Sequence, residues 1–216
     1  KVISMMDLPE GYTNTFDEIF RLVEQKGVLA LKPDEGSHGD GFYKFTYEDG
    51  KYQLNYQDVT KQQVLDILED INNQYLVTEY INMCDELKAV YDGAVNTVRM
   101  IVFKKDGKNP QIGNAYVRFG SKKTGAVDNV GAGGMTATID VATGHFHDAK
   151  IVMNNSIEDC PIHPDTGVPI DGYLPHWEQV KQQVLDVTKS IKQLEFFGVD
   201  LAVTNDGIKF PEINRF

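Results

Sequence analysis

The chain has 216 residues, with 32 acidic against 21 basic side chains, a formal net charge of −11, and 41% hydrophobic, 10% aromatic and 25% charged residues. A nucleic-acid binder neutralises phosphates with clustered Lys and Arg, and no basic tract is present, so nucleic-acid partners are excluded. The composition is that of a globular protein rather than a disordered or fibrous one, and at roughly 150 residues per domain the length allows one to two domains.

No run of 18 apolar residues and no signal-type N-terminus occurs, so no membrane insertion and a cytoplasmic location are expected. Cys84 and Cys160 carry no CxxC or metal-type spacing and read as reduced thiols. The chain starts at Lys1 and stops at Phe216 straight after a dense motif, so flanking sequence is expected.

In chain order, Thr15-Phe16-Asp17-Glu18 has the spacing of a capping box, and Ile19, Phe20 and Val23 then form an apolar stripe that predicts a helix ending at Lys26-Gly27. Val28 to Leu31 reads as a buried strand and Phe42 to Tyr47 as its hairpin partner. A second helix is expected from Thr60, with Gln63 three residues on and Val64, Ile67, Leu68 and Ile71 at helical spacing; Tyr75 to Ile81 is then a strand. Three β-type runs follow, Val98 to Phe103, Ile112 to Phe119 and Met135 to Ile139, separated by Asp106-Gly107, Gly120 and the cluster Gly131 to Gly134. After an irregular connection through His163-Pro164-Asp165-Thr166-Gly167, Val180, Val184, Val187, Ile191 and Leu194 mark an amphipathic helix, and Val199 to Asn214 reads as a β-hairpin. Uneven alternation and frequent hairpins predict an α+β fold with largely antiparallel sheets.

Two segments concentrate chemistry. Lys32 ends a strand, and the loop Pro33 to Gly41 lacks the context of a Walker loop or a dinucleotide fingerprint, so it is either a phosphate cradle with Lys32 at its base or a plain surface loop. In the final hairpin the register decides. A three-residue Asn205-Asp206-Gly207 loop places Thr204 against Ile208 and Asp200 against Glu212, whereas a two-residue Asp206-Gly207 turn places Asp200 against Ile213. Opposed carboxylates about 4.5–5.5 Å apart at Cβ repel. With Asn214 on the face of Glu212, such a set either holds a hard cation such as Mg²⁺ or is a solvated acidic hairpin.

Leu31-Lys32-Pro33 with its glycine loop, Tyr75 to Ile81, and Asp200 with Glu212-Ile213-Asn214 resemble the ATP-grasp superfamily. Val95-Asn96-Thr97-Val98-Arg99, Val117-Arg118-Phe119-Gly120, Val127-Asp128-Asn129 with Gly133-Gly134, and His163 to Gly167 resemble its sugar-transfer associated family. The resemblance implies an ATP-grasp fold of two α+β lobes that sandwich the nucleotide, divided as residues 1–81, with an abbreviated N-terminal part, and 82–216. It implies ATP and Mg²⁺ as cofactors. Lys32 then contacts phosphates, the loop through Ser37, Gly39 and Gly41 closes over them, and the strand Thr78, Glu79, Tyr80 and Ile81 offers its edge to adenine. Glu86 or Asp85 takes the ribose, and Asp200, Glu212 and Asn214 hold the metal.

An Arg within a strand is either a structural ion pair or a bidentate donor to oxygens that gain charge in the transition state. Arg118 is expected as the phosphate or intermediate contact, with Arg99 second. Asp128-Asn129 and the glycine cluster are candidates to line the acceptor side, and His163 is either a proton carrier or a turn-stabilising residue.

The resemblance implies a ligase that activates a carboxylate as an acyl-phosphate for attack by an amine or similar nucleophile, in bacterial surface polysaccharide or sugar-conjugate assembly. Its partner is then a small-molecule or sugar-linked acceptor. The alternatives are a kinase of a sugar or other acceptor, and a nucleotide-binding module without turnover. The chain is accordingly expected to be the ATP-binding portion of a larger protein.

Overall fold

The computed structural model describes residues 11, 13, 15–33, 39–69, 75–153 and 156–215. The chain divides into two compact units, Lys1–Tyr80 and Ile81–Phe216.

In the first unit, helix α1 (Phe16–Lys26) starts at Thr15, whose side chain accepts from the Glu18 N–H at 3.2 Å. Only half of the expected capping box forms, because the Glu18 carboxylate turns to Arg21 one helical turn on instead of back to Thr15. Strands β1 (Val28–Pro33), β2 (Tyr43–Glu48), β3 (Lys51–Leu54) and β4 (Gln57–Val59) follow, then helix α2 (Lys61–Leu68) and strand β5 (Tyr75–Glu79). At Thr60 and Gln63 the capping box is complete. The five strands lie in the order β4-β3-β2-β1-β5, all paired antiparallel. One face of this sheet places Leu29, Leu31 and Phe45 against Phe20 and Val23 of α1 and Val64 of α2. Ile71, expected to extend the second helix, lies outside the described residues.

The second unit opens with helix α3 (Asp85–Val90) and continues through β6 (Val98–Phe103), β7 (Gln111–Phe119), β8 (Met135–Ile139), β9 (His145–Met153), β10 (Ser156–Asp159) and β11 (Gly172–Tyr173). Helix α4 (Trp177–Ser190) and the hairpin β12 (Phe196–Thr204) with β13 (Gly207–Arg215) complete it. The antiparallel sheet runs β10-β9-β8-β7-β6-β12-β13, with β11 added to β9. Side chains alternate between its faces. Val98, Met100, Val102, Val117, Ala137, Phe146 and Leu201 go to a core shared with Leu87 of α3 and Val180 and Val184 of α4. The residues between them, among them Arg99, Tyr116, Arg118, Thr138 and His147, go to the opposite face. Ile191 and Leu194 pack against that core from beyond the end of α4.

The structure is thus mixed α and β with antiparallel sheets, as expected. Among the described residues no helix is long and apolar enough to cross a membrane.

Candidate functional site

The centre of the polar face is set by register. Asp200 on β12 stands opposite Arg99 of β6 on one side and Glu212 of β13 on the other. The opposition of Asp200 and Glu212 is the one expected, but neither anticipated turn produces it. The hairpin pairs Thr204 with Gly207, Val203 with Ile208 and Ala202 with Lys209, and the register then shifts between Ala202 and Asp200. Phe210 and Pro211 thereby stand against the single residue Leu201. Pro has no N–H to give to a ladder, and an irregularity of this kind is where a sheet accommodates it. The extra residue moves Glu212 from the partner of Val199 to the partner of Asp200.

Asp200 is 3% exposed. Its Oδ1 accepts from Arg99 Nε at 2.5 Å, and its Oδ2 accepts from Arg99 Nη2 at 2.6 Å and Arg118 Nη2 at 3.0 Å. The bidentate grip of Asp200 raises the pKa of Arg99 above its ordinary value. With the Asn214 amide oriented by its partners, Nδ2 donates to Glu212 Oε1 at 3.1 Å and Oδ1 accepts from Arg99 Nη2 at 3.1 Å. One guanidinium therefore joins Asp200 to Asn214, and Asn214 reaches Glu212.

Arg118 is held from behind. Its Nε lies 3.4 Å from Asp128 Oδ2 and donates to Thr97 Oγ1 at 3.1 Å, while the Thr97 N–H donates to Asp128 at 2.8 Å. Burial raises the Asp128 carboxyl, with Arg118 and the two Thr97 donors opposing it. Asp128, expected among residues lining an acceptor, is part of the support for Arg118. Neither Thr97 nor Asp128 is distinguishable as such from spacing, because the contact between them spans 31 positions. Asn129 closes its own turn onto the Gly131 N–H at 2.9 Å. A Cβ on Gly134 would lie 2.8 Å from Phe119 O and 2.9 Å from Asn129 O, so this glycine is required by packing.

Two carboxylates and an amide are hard oxygen donors suited to Mg²⁺. Asp200 Oδ1 receives one described donor and each carboxylate oxygen can accept about two, so this oxygen retains acceptor capacity. The residues fit the ion. Among the described residues there is no group of three or more His, Cys, Asp or Glu placed to hold a metal, and the candidate set owes its third member to an amide.

In the first unit, Lys32 of β1 is exposed and shares a sheet face with Ala30, whose cross-strand neighbours are Lys44 and Thr78. Ser37 lies outside the described residues; Gly39 and Gly41 turn the chain with φ of 81° and 76°. Strand β5, carrying Thr78 and Glu79, is at the edge of its sheet. Glu79 pairs with Lys26 at 2.7 Å, and Tyr80 presents its ring to Lys44 Nζ at 4.9 Å. Ile81 begins the second unit. In that unit Asp85 and Glu86 occupy the first turn of α3, and the Asp85 N–H donates to Asn205 Oδ1 at 3.1 Å. This ties that turn to the tip of the β12–β13 hairpin.

His163 is fully buried, stacked on Tyr91 at 4.7 Å, with Nε2 2.9 Å from Gly120 O and Nδ1 accepting from the Asp165 N–H at 3.3 Å. Those partners have the ring donate through Nε2 and accept at Nδ1, both within its own turn and the neighbouring Gly120 backbone, which makes it the turn-stabilising residue of the two alternatives. Asn96 is likewise structural, donating to Tyr91 O at 2.6 Å and accepting from the Gly120 N–H at 3.1 Å. Burial pushes the Cys84 thiol up to about 11, so it stays protonated.

Antiparallel sheets, a strand with Lys32 next to its last residue and a hairpin opposing Asp200 to Glu212 are the features on which the resemblance to the ATP-grasp class rests. The chain matches the sugar-transfer associated ATP-grasp family over residues 4–215 and belongs to it. Comparison with curated proteins returns no match. Among solved structures it is similar to D-alanine–D-alanine ligase from Bacillus anthracis, at 14% identity and a TM-score of 0.40, over 97% of this chain and 47% of that one. The chain therefore spans about half the length of that protein.

Proposed function

We propose that this chain carries the ATP- and Mg²⁺-dependent chemistry of a ligase that converts a carboxylate to an acyl-phosphate for attack by an amine or similar nucleophile. The biological setting proposed is assembly of bacterial cell-surface polysaccharide or sugar conjugates, in accord with the family's description. The observation that carries the reading is the joining of Arg99, Arg118, Asp200, Glu212 and Asn214 into one hydrogen-bonded set on the polar sheet face.

In this reading Asp200, Glu212 and Asn214 hold Mg²⁺, which when bound offsets charge on the nucleotide phosphates. Lys32 contributes a further cation. Arg118, fixed by Thr97 and Asp128, presents its guanidinium to oxygens that gain charge as the phosphoryl group transfers, and Arg99 assists. A pre-positioned donor of this kind contributes about 10²–10³ in kcat. Alignment and charge neutralisation account for the rate, so no covalent nucleophile from the protein is required. Thr78 to Ile81 and Glu86 or Asp85 are assigned to the nucleoside.

Calorimetry with Mg²⁺ and a nonhydrolysable ATP analogue should show binding that Asp200→Asn weakens at least tenfold. Incubation with Mg-ATP, carboxylates and amines should release ADP and free phosphate. Phosphate retained on the acceptor would instead identify a kinase, and tight binding with no turnover on any acceptor a binding module. Absence of nucleotide binding would remove the reading altogether.

A further inference from the structure

The polar face of the eight-stranded sheet extends past the arginines along a continuous cross-strand row. Asp200 is opposite Arg99, Arg99 opposite Tyr116, Tyr116 opposite Thr138, and Thr138 opposite His147. At a strand spacing of about 4.8 Å, the three steps from β6 to β9 cover roughly 14 Å. At the far end three rings are stacked. His147 lies 4.9 Å from His145 at an interplanar angle of 30°, and His145 lies 4.6 Å from Tyr173 at 19°.

These rings serve no core. Phe146, between the two histidines, takes the core position of β9, whereas Tyr173 is 61% exposed. Carboxylates border both imidazoles: Asp171 Oδ1 is 3.2 Å from His145 Nε2, and Asp148 Oδ2 is 2.8 Å from His147 Nδ1. Asp148 adopts a left-handed φ of 52°, sparsely populated outside Gly and tolerated by Asp and Asn, where β8 and β9 shift register.

We propose that His145, His147 and Tyr173, with Asp171 and Asp148, form a binding platform for the body of a neutral, hydroxyl-rich acceptor, a carbohydrate ring, whose reacting end is directed along Thr138 and Tyr116 toward Arg99 and Arg118. The direction toward the arginines rests on the ligase reading; the platform does not. An exposed aromatic face accepts the C–H face of a sugar ring, and carboxylates accept from its hydroxyls. The hydroxyls of Thr138 and Tyr116 can both donate and accept, which matches a ligand that does the same. The Asp171 and Asp148 carboxylates beside the rings supply acceptors for ligand hydroxyls rather than donors for an anion. A sugar ring also satisfies these polar groups without a net charge of its own.

Saturation-transfer NMR on the full chain, with cellobiose, maltose, lactose and chitobiose as probes and ethylammonium and inorganic phosphate as ionic comparisons, tests the platform. At least one disaccharide should receive saturation and move the ring resonances of His145 and His147 in a saturable way. Tyr173→Ala should weaken that binding about threefold to tenfold, as expected for loss of one stacking ring, while Tyr173→Phe stays within about twofold. An unchanged melting temperature confirms that both variants fold. Silence from all four disaccharides, a response to ethylammonium or phosphate alone, or equal binding by Tyr173→Ala would each overturn the platform. Mg-ATP analogue binding measured on the same samples separates the two readings. If it persists without saccharide binding, only the platform fails; if saccharide binds and the nucleotide does not, the ligase reading fails.

Discussion

The two faces of the eight-stranded sheet are built from the same strands yet meet opposite requirements. On β9, Phe146 is 1% exposed and packs with Phe119, while its neighbour His147 stacks on His145 at the other face. On β6, Met100 is fully buried, while Arg99 next to it grips Asp200. The core face is held by area removed from water, which is non-directional and tolerant of shape-conserving change. The polar face is held by paired charges that cost free energy when one partner is lost. Stability therefore resides mainly on one side and the proposed chemistry on the other, and neighbouring substitutions should separate them.

The sharpest contrast is between adjacent residues on β9. Phe146→Ala should cost about 3–5 kcal/mol in urea unfolding through cavity formation, and His147→Ala no more than about 1 kcal/mol. Equal losses would break the distinction between the faces. Asp200→Ala leaves two partly buried guanidiniums without their shared acceptor and should cost about 2–3 kcal/mol, less than a fully buried pair because both arginines keep some contact with water. Gly134→Ala pushes a methyl onto backbone carbonyls that do not yield easily, and about 1–2 kcal/mol is expected. Thr97→Val removes the hydroxyl between Arg118 and Asp128 while preserving the β-branched shape. A loss of about 1 kcal/mol is expected, with a larger proportional loss of any turnover.

The smallest effects are pH slopes of opposite sign. Asp106, which accepts from the Lys108 and Asn109 N–H groups, is lowered to about 2. Its stabilisation is present above the ordinary value near 3.9 and is lost as pH falls toward 2. Asp128 is raised, so its contribution is present below the ordinary value and is lost as pH rises through its folded value. Melting temperatures from pH 2 to 7 should show Asp106→Asn flattening the acid limb. They should also show Asp128→Asn gaining relative to wild type as pH rises.

Local signals were readable where the deciding contacts are near in sequence. Thr60 and Gln63 announce the start of α2 because both halves of the box lie within one turn, and Val98 to Phe103 announces a strand as a short, mostly apolar run that ends shortly before the Asp106-Gly107 turn. Helix α3 escapes such reading because six residues carry too short a period, and strands β3 and β4 are only four and three residues long. Strand β9 is masked by His145-Phe146-His147, in which a single apolar residue sits between two that also belong to turns and sites. With β9 unread, the ring platform had no strand to stand on. The opposition of Asp200 and Glu212 was legible as an outcome, but its cause was not, since the compensating irregularity lies at Leu201 and Phe210-Pro211 rather than at the turn.

Residue types and their order sufficed for the α+β class, the antiparallel strands and the gathering of Asp200, Glu212 and Asn214 on one hairpin, because alternation and turn chemistry act over a few residues. Tertiary structure decided which groups share a charge. Arg99 and Asp200 are 101 positions apart, Arg118 and Asp200 82. It also made His163 a buried prop and placed Asp128 against the arginine it helps to anchor. Pairing across such separations is fixed by strand order and register in the folded sheet, which no local pattern encodes.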